Sequence, residues 1–324
     1  MVEAVAMTGK KSTVEQMKLF TGGVYISPTT KCNARCRHCI AQDDEPEFVD
    51  ANYEDMMSWL DQIKECGIKT VHFVGGEPFV VFDYLVDYIK RLGELGITPS
   101  VVTNGSWAKT KEKGIEVLKK LPALEILIIS SDKYHLEYID AKTVRNAIEA
   151  GLECNKYVVV NITYIEKEDL SNVSHLYKDY GDRITIQTVK AMPFHGEESD
   201  KIARHQYFKR ITKAPKFCGI GNYFINYDGN VYACCQASRS LNTNHLTLGN
   251  LYEERLSEMD KRMRQNPVYQ FISSKGPRGI AEIFASSDYF NDLQECSYAG
   301  GCEICQSLLD TTDKYRYFLE RIRE

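Results

Sequence analysis

Three cysteines near the start of the chain, Cys32, Cys36 and Cys39, have the spacing of metal ligands. Thiolates placed in this way can ligate three irons of a [4Fe-4S] cluster and leave the fourth iron open to another ligand. Zinc is the alternative, because His38 within the same stretch could complete a four-ligand set. Structural zinc sites usually use two separated ligand pairs, so the spacing favours an iron-sulfur cluster.

A second set of cysteines is spread over the last third of the chain. Two of them flank a predicted hairpin around Asp228-Gly229, and the other two form a distant CxxC pair. Four thiolates on a hairpin and a distant CxxC can enclose a second cubane. A zinc ribbon built from the same residues is the alternative. The four residues are Cys218, Cys234, Cys302 and Cys305.

The composition excludes several classes of protein. The chain has 324 residues, 40 Lys+Arg against 45 Asp+Glu, a formal net charge of -5, 43% hydrophobic residues and 11 cysteines. These values exclude intrinsic disorder and give no extended positive field, so we expect no nucleic-acid partner. Residues 1–21 lack the apolar core of a signal peptide or a membrane span, which predicts a cytoplasmic protein without a membrane partner. In a reducing compartment, metal binding explains cysteines better than disulfides do.

Apolar runs of strand length alternate with stretches of helical periodicity between residues 22 and 190. This alternation predicts an α/β fold in which helices cover a parallel sheet, as in a partial or full βα barrel. The predicted strands are residues 24–26, 71–74, 101–102, 126–129, 158–160 and 184–186, and the predicted helices are about 53–66, 81–95, 110–120, 141–153 and 168–180.

Polar residues follow the first four predicted strands. Ligands of parallel α/β folds bind at the carboxyl ends of the strands, so these residues are expected to form one site with the first cysteines. They are Gly75-Gly76-Glu77-Pro78 after the second strand, Thr103-Asn104-Gly105 after the third and Ser130-Ser131-Asp132 after the fourth.

The pattern changes beyond residue 190. We predict an N-terminal extension (1–21), a barrel (22–190), a linker (191–217) and a small cysteine-rich α+β module (218–324). The module contains the hairpin, with strands at 223–227 and 231–234, and a last amphipathic segment at 307–322.

CxxxCxxC after the first strand, followed by GGEP, resembles the signature of the radical S-adenosylmethionine (radical SAM) family over residues 22–190. The resemblance implies a partial (β/α)6 barrel and a [4Fe-4S] cluster on Cys32, Cys36 and Cys39 that binds S-adenosylmethionine. It also implies reductive cleavage to a 5'-deoxyadenosyl radical, which takes a hydrogen atom from the substrate, and a one-electron donor such as flavodoxin or ferredoxin.

The same resemblance assigns cofactor contacts residue by residue. Gly75, Gly76, Glu77 and Pro78 match the segment that meets the methionine amino group, and His38 stands where the family usually has an aromatic residue beside adenine. Thr103, Asn104, Ser130 and Asp132 lie at strand ends where the family contacts ribose or carboxylate. Asp132-Lys133-Tyr134-His135 resembles a motif of some peptide-modifying members.

The C-terminal cysteines resemble the twitch module of the SPASM and twitch subgroup. The CxxCx5Cx3C string of full SPASM modules is missing, which favours one auxiliary [4Fe-4S] cluster. The spacing behind Gly229 favours Cys234 as its ligand, and because strand side chains alternate faces, the adjacent Cys235 is then a spare thiol. Cys235 could donate a hydrogen atom to a substrate radical, or could be a buried small residue or the ligand in place of Cys234. Cys296 could complete a cluster or have no role.

The favoured function is therefore epimerisation of a ribosomally synthesised peptide, with Cys235 as the hydrogen donor. The alternatives are an auxiliary-cluster-dependent dehydrogenase or epimerase acting on a sugar or aminocyclitol, and a peptide cross-linking enzyme. A non-enzymatic zinc-binding α/β protein is a further alternative, against which the GGEP motif argues. The expected substrate is a peptide or a small molecule.

Overall fold

A nine-stranded sheet forms the framework of the protein. The computed structural model describes residues 23–39, 48–190, 222–234, 244–285, 301–309 and 311–324, with the single residues 214, 216, 218 and 287. The first six strands pair in parallel. They are β1 (Val24–Ile26), β2 (Thr70–Phe73), β3 (Thr98–Thr103), β4 (Ile126–Ser130), β5 (Tyr157–Tyr164) and β6 (Thr185–Lys190).

The six parallel strands lie in the order β6-β5-β4-β3-β2-β1, and three more strands follow on the far side of β1. These are β7 (Tyr223–Ile225), β8 (Asn230–Tyr232) and β9 (Thr247–Asn250). Because β6 and β9 lie at the two edges of the sheet, the barrel is not closed by strand pairing. The predicted partial barrel is confirmed.

Helices cover the outer face of the barrel sheet, and local capping sets their starts. The Asn52 side chain accepts hydrogen bonds from two free backbone amides at the first turn of α1, and Thr110 and Asp140 cap α3 and α4. Gly96 ends α2 in the left-handed conformation that favours glycine. The helices are α1 (Tyr53–Glu65), α2 (Phe82–Leu95), α3 (Lys111–Lys119), α4 (Ala141–Glu153) and α5 (Lys167–His175).

The two faces of the sheet have different surroundings, because successive side chains of a strand point in opposite directions. Leu127 and Ile129 belong to the main core beneath the helices. Ile126 and Ile128 lie in a separate apolar cluster with Val159, on the interior wall of the barrel. The same alternation places Ser130 on this interior wall, at its carboxyl end.

The C-terminal module continues the barrel sheet. β7 pairs in parallel with β1, so that Val24 is level with Tyr223 and Ile26 with Ile225. β8 then returns antiparallel to β7, which confirms the predicted hairpin with shorter strands than expected. Gly229 in its turn has φ 79°, a conformation that favours glycine.

Four helices complete the module, and they differ most from the sequence prediction. Sequence reasoning did not predict β9 or the helices α6 (Leu256–Gln265) and α7 (Pro267–Phe284). The last amphipathic segment, predicted at 307–322, forms a helix that begins later than expected, α9 (Thr312–Arg321), and the unpredicted helix α8 (Gly301–Leu308) precedes it. Thr311 caps α9 by accepting a hydrogen bond from the Lys314 amide, which explains why this helix begins at Thr312.

Side-chain contacts hold the module against α1. The Tyr252 hydroxyl donates to Asp55 Oδ2 at 2.9 Å, and the Leu256 amide donates to Gln62 Oε1 at 3.0 Å. The barrel and the module therefore share an interface as well as a sheet. Within the described ranges, no helix combines the length and apolar character needed to span a membrane.

Ile225 tests the shared sheet, because its side chain is fully buried in β7 beside β1. We expect Ile225→Ala to lower the free energy of unfolding of the metal-free protein by about 2–4 kcal/mol, since truncation of a buried aliphatic side chain leaves a cavity. Urea unfolding followed by circular dichroism measures the change. Val80→Ala, at a position that is 44% exposed, is the control and should cost less than about 0.5 kcal/mol. Equal unfolding midpoints for the two variants would contradict the prediction.

Candidate active site

Cys32, Cys36 and Cys39 lie together on the loop that follows β1. Cys36 is buried, while Cys32 and Cys39 are half-buried. Burial, together with the nearby Glu77, Cys39 and Cys36, raises the pKa of Cys32 to about 11. Charges on Cys36 and Cys39 would thus disfavour a thiolate at Cys32. A cation that accepts thiolates would relieve this, since metal coordination deprotonates thiols. The donor set therefore fits an iron-sulfur cluster.

Gly75 and Gly76 allow the loop after β2 to lie directly against the cysteine loop. A Cβ atom at Gly76 would be 2.0 Å from the carbonyl oxygen of Lys31, and Gly75 has φ 116°. The Gly76 amide donates to the Thr29 carbonyl at 2.8 Å, and the Glu77 amide donates to the Lys31 carbonyl at 2.7 Å. The two glycines are thus required by close backbone packing just before Cys32.

The carboxylate of Glu77 joins the ends of β2 and β3. It accepts hydrogen bonds from the Thr103 hydroxyl at 2.7 Å, the Asn104 amide at 2.7 Å and the Phe79 amide at 3.1 Å. Burial raises the pKa of Glu77, although these donors favour the ionised form. Pro78 begins the short 3-10 turn that follows. Glu77 and Thr103, both predicted to contact the cofactor, therefore also hold the site together.

Asn104 extends this network to the cysteine loop itself. Its side-chain amide donates to Asn33 Oδ1 at 2.7 Å, and the Asn33 amide donates to the Ser106 hydroxyl at 2.7 Å. Sequence reasoning did not select Asn33 or Ser106. The position of Asn33 inside the CxxxC spacing was the available signal.

Asp132 organises the loop that follows β4. Its Oδ1 accepts the backbone amides of Tyr134 at 3.0 Å and His135 at 3.1 Å. Its Oδ2 lies 2.8 Å from His135 Nδ1 and 3.3 Å from His38 Nε2. Burial alone would raise the pKa of Asp132, but the two imidazoles hold that pKa well below its usual range. The carboxylate is therefore ionised and shared between two histidines.

His38 is packed between protein rings. It stacks on Tyr134 with ring centroids 4.5 Å apart and meets His135 edge-on at 5.2 Å. His38 lies in the cysteine loop between Cys36 and Cys39. Its contact with the adenine of the cofactor stays a prediction.

Two further contacts attach the cysteine loop to the segment after β4. The Tyr138 hydroxyl donates to the Arg35 carbonyl at 2.8 Å, and Arg37 forms an ion pair with Glu137 at 2.6 Å. The segment 132–138 thus contacts the cysteine loop at several points. The structure brings all the predicted first-site residues to one edge of the barrel, and Ser130 is buried at the end of β4.

The second cysteine set also comes together. Burial raises the pKa of Cys305 well above its usual value, and the neighbouring Cys218, Cys302 and Cys234 raise it further. These are the four residues that the spacing predicted. Cys235 and Cys296 lie outside the described residues.

The two cysteine sets lie at opposite ends of the barrel strands. Cys32 follows the carboxyl end of β1, where Ile26 is level with Ile225. Cys234 follows β8, whose end at Tyr232 pairs with Phe224 near the start of β7. Because β7 is parallel to β1, Cys234 lies toward the amino end of β1. The interior of the barrel lies between the two sets.

Comparison with known families identifies both parts of the chain. The model of the radical SAM superfamily matches residues 26–180, and that of the SPASM iron-sulfur cluster-binding domain matches residues 217–307. The chain is a SPASM-containing radical SAM enzyme. Its cofactors are S-adenosylmethionine and the [4Fe-4S] cluster that binds it, and auxiliary iron-sulfur cluster binding in the SPASM domain adds a further one.

Curated relatives of this radical SAM enzyme include YydG of Bacillus subtilis (strain 168), a protein named for peptide biosynthesis. It is 21% identical over 312 residues, which are 93% of this chain and 96% of YydG. The GTP 3',8-cyclase of Clostridium perfringens (strain SM101 / Type A) is 29% identical over 212 residues, which are 60% of this chain and 64% of the cyclase.

Solved structures agree with the fold. Streptococcus suis SuiB bound to the precursor peptide SuiA gives a TM-score of 0.57 at 16% identity, over 90% of this chain and 78% of SuiB. The structure of anSMEcpe with bound AdoMet and the Cp18Cys peptide gives a TM-score of 0.56 at 14% identity, over 93% of this chain and 97% of anSMEcpe. These likenesses support a partial barrel joined to a C-terminal module.

Gly76→Ala tests the close packing of the GGEP segment. We expect it to lower the free energy of unfolding by about 3 kcal/mol, at the upper end for overpacking, because the obstructing atom belongs to the backbone. Chemical denaturation and iron content after reconstitution measure the effect. Gly67→Ala is the control: Gly67 has φ 72° with open space around it, so only backbone strain of about 1 kcal/mol is expected. A Gly76→Ala protein as stable as Gly67→Ala would refute the packing argument.

Iron content tests the second cysteine set. Anaerobically purified protein should hold about eight irons if both sets carry cubanes, and Cys305→Ser should hold about four. Cys66→Ser is the matched control, because Cys66 is half-buried at the end of α1 and belongs to neither set. Wild-type protein with about four irons and one zinc would show that the second set is a zinc site.

Proposed function

We propose that this enzyme epimerises an α-carbon of a ribosomally synthesised peptide, with the thiol of Cys235 as the hydrogen donor. YydG is named for peptide biosynthesis, and SuiB was solved with its precursor peptide. Both names favour a peptide as the substrate here. Sugars and aminocyclitols are the competing substrate class.

The observation that carries the proposal is the grouping of four cysteines around Cys305. The neighbouring Cys218, Cys302 and Cys234 raise the pKa of its thiol, which places all four sulfurs close together. A cubane takes four thiolate ligands. A cluster with this ligand set has no place for a fifth cysteine. Cys235, the next residue in the sequence after Cys234, is then not needed as a ligand, and we assign it the donor role.

The position of Cys234 favours a donor role for its neighbour. Cys234 follows β8 at the amino end of the barrel strands, and the first cysteine set is at the carboxyl end. A peptide bound in the barrel interior would therefore have the first cysteine set on one side of it and Cys234 on the other. Inversion at carbon requires removal of hydrogen from one face and delivery to the other, which this arrangement suits.

When bound, S-adenosylmethionine and its cluster supply a 5'-deoxyadenosyl radical that removes the α-hydrogen of one residue. The Cys235 S–H bond then breaks as a new C–H bond forms on the opposite face. The resulting thiyl returns to a thiol by taking up one electron and one proton. A cluster held by Cys218, Cys234, Cys302 and Cys305 would be able to supply this electron, and an external one-electron donor such as flavodoxin or ferredoxin would restore it.

The segment 132–138 and the Glu77 network have a separate task in this scheme. They hold the cysteine loop at the carboxyl edge through hydrogen bonds that are already formed in the protein without a substrate. The carboxylates of Glu77 and Asp132 accept hydrogen bonds from donors within this network, so substrate binding need not reorganise these loops. The proposal further places the enzyme in the cytoplasm, with no nucleic-acid or membrane partner.

Cys235→Ala tests the donor role in heavy water. The test substrates are the peptides encoded by short reading frames found by sequencing the region around the gene. Wild-type enzyme should add one deuterium at one stereocentre, because the thiol exchanges with solvent, whereas Cys235→Ala should cleave S-adenosylmethionine without deuterium uptake. Mass spectrometry and chiral amino-acid analysis of the product provide the measurement.

Two control variants separate the thiol from the cluster. Cys234→Ala should lower the iron content by about four, as expected of a cluster ligand, while Cys235→Ala should leave it unchanged. Persistent deuterium uptake in Cys235→Ala would eliminate Cys235 as the donor. A product lighter by two mass units would instead indicate dehydrogenation or cross-linking, with the auxiliary cluster as the electron acceptor.

A further inference from the structure

A row of three neutral polar side chains crosses the interior wall of the barrel at its carboxyl end. Ser130 on β4, Asn161 on β5 and Gln187 on β6 are level with one another in the register of the sheet. Asn161 is two residues beyond Val159, which belongs to the interior apolar cluster, so Asn161 and its neighbour Gln187 face the interior as well. We call Asn161 and Gln187 the amide pair.

The amide pair has hydrogen-bonding capacity that the described part of the chain does not use. Asn161 Oδ1 is buried and accepts no hydrogen bond from the described residues. Deeper in the barrel, the same two strands carry a polar pair of a different kind, because the hydroxyls of Tyr157 and Thr185 lie 2.6 Å apart and bond each other. A buried acceptor without a donor is unfavourable, so a bound molecule that supplies an N–H or O–H group would stabilise this part of the wall.

The wall beside the amide pair can be reached from solvent. β6 is the edge strand of the sheet, and no described strand continues the sheet beyond it. Val189 is two residues beyond Gln187, therefore on the same face, and is 37% exposed. Asn161 and Gln187 are themselves only half-buried. A molecule can therefore enter the interior past β6.

The location of the amide pair suits the substrate rather than the cofactor. The predicted contacts of S-adenosylmethionine follow β1 to β4 and end with Ser130 and Asp132, whereas the amide pair lies on the next two strands. Hydrogen abstraction requires the substrate to lie beside the cofactor. The amide pair comes next along the row, between these contacts and the open edge.

Two neutral amides side by side fit one peptide group. A primary amide offers an acceptor oxygen and two donor hydrogens, and a peptide group offers one N–H donor and one carbonyl acceptor. Neighbouring strands lie about 4.8 Å apart, so one peptide group can reach both side chains. Because neither amide is charged, the pair offers no ion-pair partner to a phosphate, a carboxylate or an ammonium group.

We propose that Asn161 and Gln187 bind one backbone peptide group of the substrate, next to the α-carbon that loses hydrogen. Asn161 accepts the N–H of this group, and Gln187 donates to its carbonyl oxygen. Contacts of this kind fix the position of the reacting residue without selecting its side chain. The inference rests on the proposed peptide substrate, and it holds whether the reaction ends in epimerisation, dehydrogenation or cross-linking.

A scan of backbone-methylated peptides tests the contact. The probes are fluorescein-labelled peptides encoded by the short reading frames around the gene, each also made in forms with one N-methylated peptide nitrogen. Fluorescence anisotropy gives their Kd for full-length enzyme that holds its clusters and S-adenosylmethionine. In wild type, methylation beside the altered α-carbon should raise the Kd about tenfold, because it removes the N–H that Asn161 accepts. The same methylation should change the Kd of Asn161→Ala by less than about twofold, since that hydrogen bond is already lost.

Three further variants control the scan. Gln187→Ala should raise the Kd of the unmodified peptide about tenfold. Gln265→Ala makes the same substitution at an exposed position at the end of α6 and should leave that Kd unchanged. Asn161→Leu, which has a similar volume and no acceptor, replaces Asn161→Ala if the latter does not keep its iron. Equilibrium dialysis without peptide should give an affinity for S-adenosylmethionine within about twofold of wild type in every variant.

Equal sensitivity of wild type and the Asn161 variants to methylation at every position would overturn the proposal. A loss of affinity for S-adenosylmethionine in the same variants would also overturn it, because the amides would then belong to the cofactor site. If wild type binds none of the peptides, this site and the peptide substrate are both rejected. A product lighter by two mass units, together with the expected methylation pattern, would reject only epimerisation and would support the amide pair.

Discussion

Mutual repulsion of three thiolates on one short loop is the constraint on which the first site depends. Burial and the nearby Glu77, Cys39 and Cys36 raise the pKa of Cys32, so a thiolate there needs a cation, and the shape of the loop must come from other residues. The protein supplies that shape from outside, through the glycines and Glu77 after β2, Asn104 after β3 and the Asp132 segment after β4. Because hydrogen bonds of this kind pre-arrange the ligands, binding of the cluster need not also order the loop.

The two buried carboxylates of this support have different electrostatic surroundings. Glu77 is surrounded by neutral donors, and burial raises its pKa. Asp132 is placed between two imidazoles, which hold its pKa well below its usual range. Glu77 therefore contributes hydrogen-bond acceptors to the loop ends, while Asp132 contributes a full negative charge close to the cysteines. The difference in pKa arises because the end of β3 gives Glu77 a hydroxyl and an amide, whereas the cysteine loop and the loop after β4 give Asp132 two imidazoles.

Much of this framework could be predicted from local sequence. Apolar runs with β-branched residues gave the parallel strands, and the cysteine spacings selected the two groups that the structure brings together. The β1–β7 pairing could not be predicted, because almost two hundred residues separate the two strands and a three-residue strand carries no partner information. The role of Asn33 was also hidden, since its partner comes from another loop. The helix predicted at the end of the chain is present but begins later than expected, because its start is set by a local cap at Thr311, which an amphipathic pattern does not reveal.

The β1–β7 pairing also fixes the distance between the two cysteine sites. Because β7 runs parallel and in register beside β1, the first cysteine loop and Cys234 are attached to opposite ends of one hydrogen-bonded ladder. Such a ladder hardly stretches, since each residue contributes about 3.3 Å of rise. The separation between the two cysteine sites is therefore set by strand length rather than by a hinge. A substrate between the two sites must therefore fit a gap that the ladder sets, and the loops around the interior are the parts of the barrel that can adapt to its bulk.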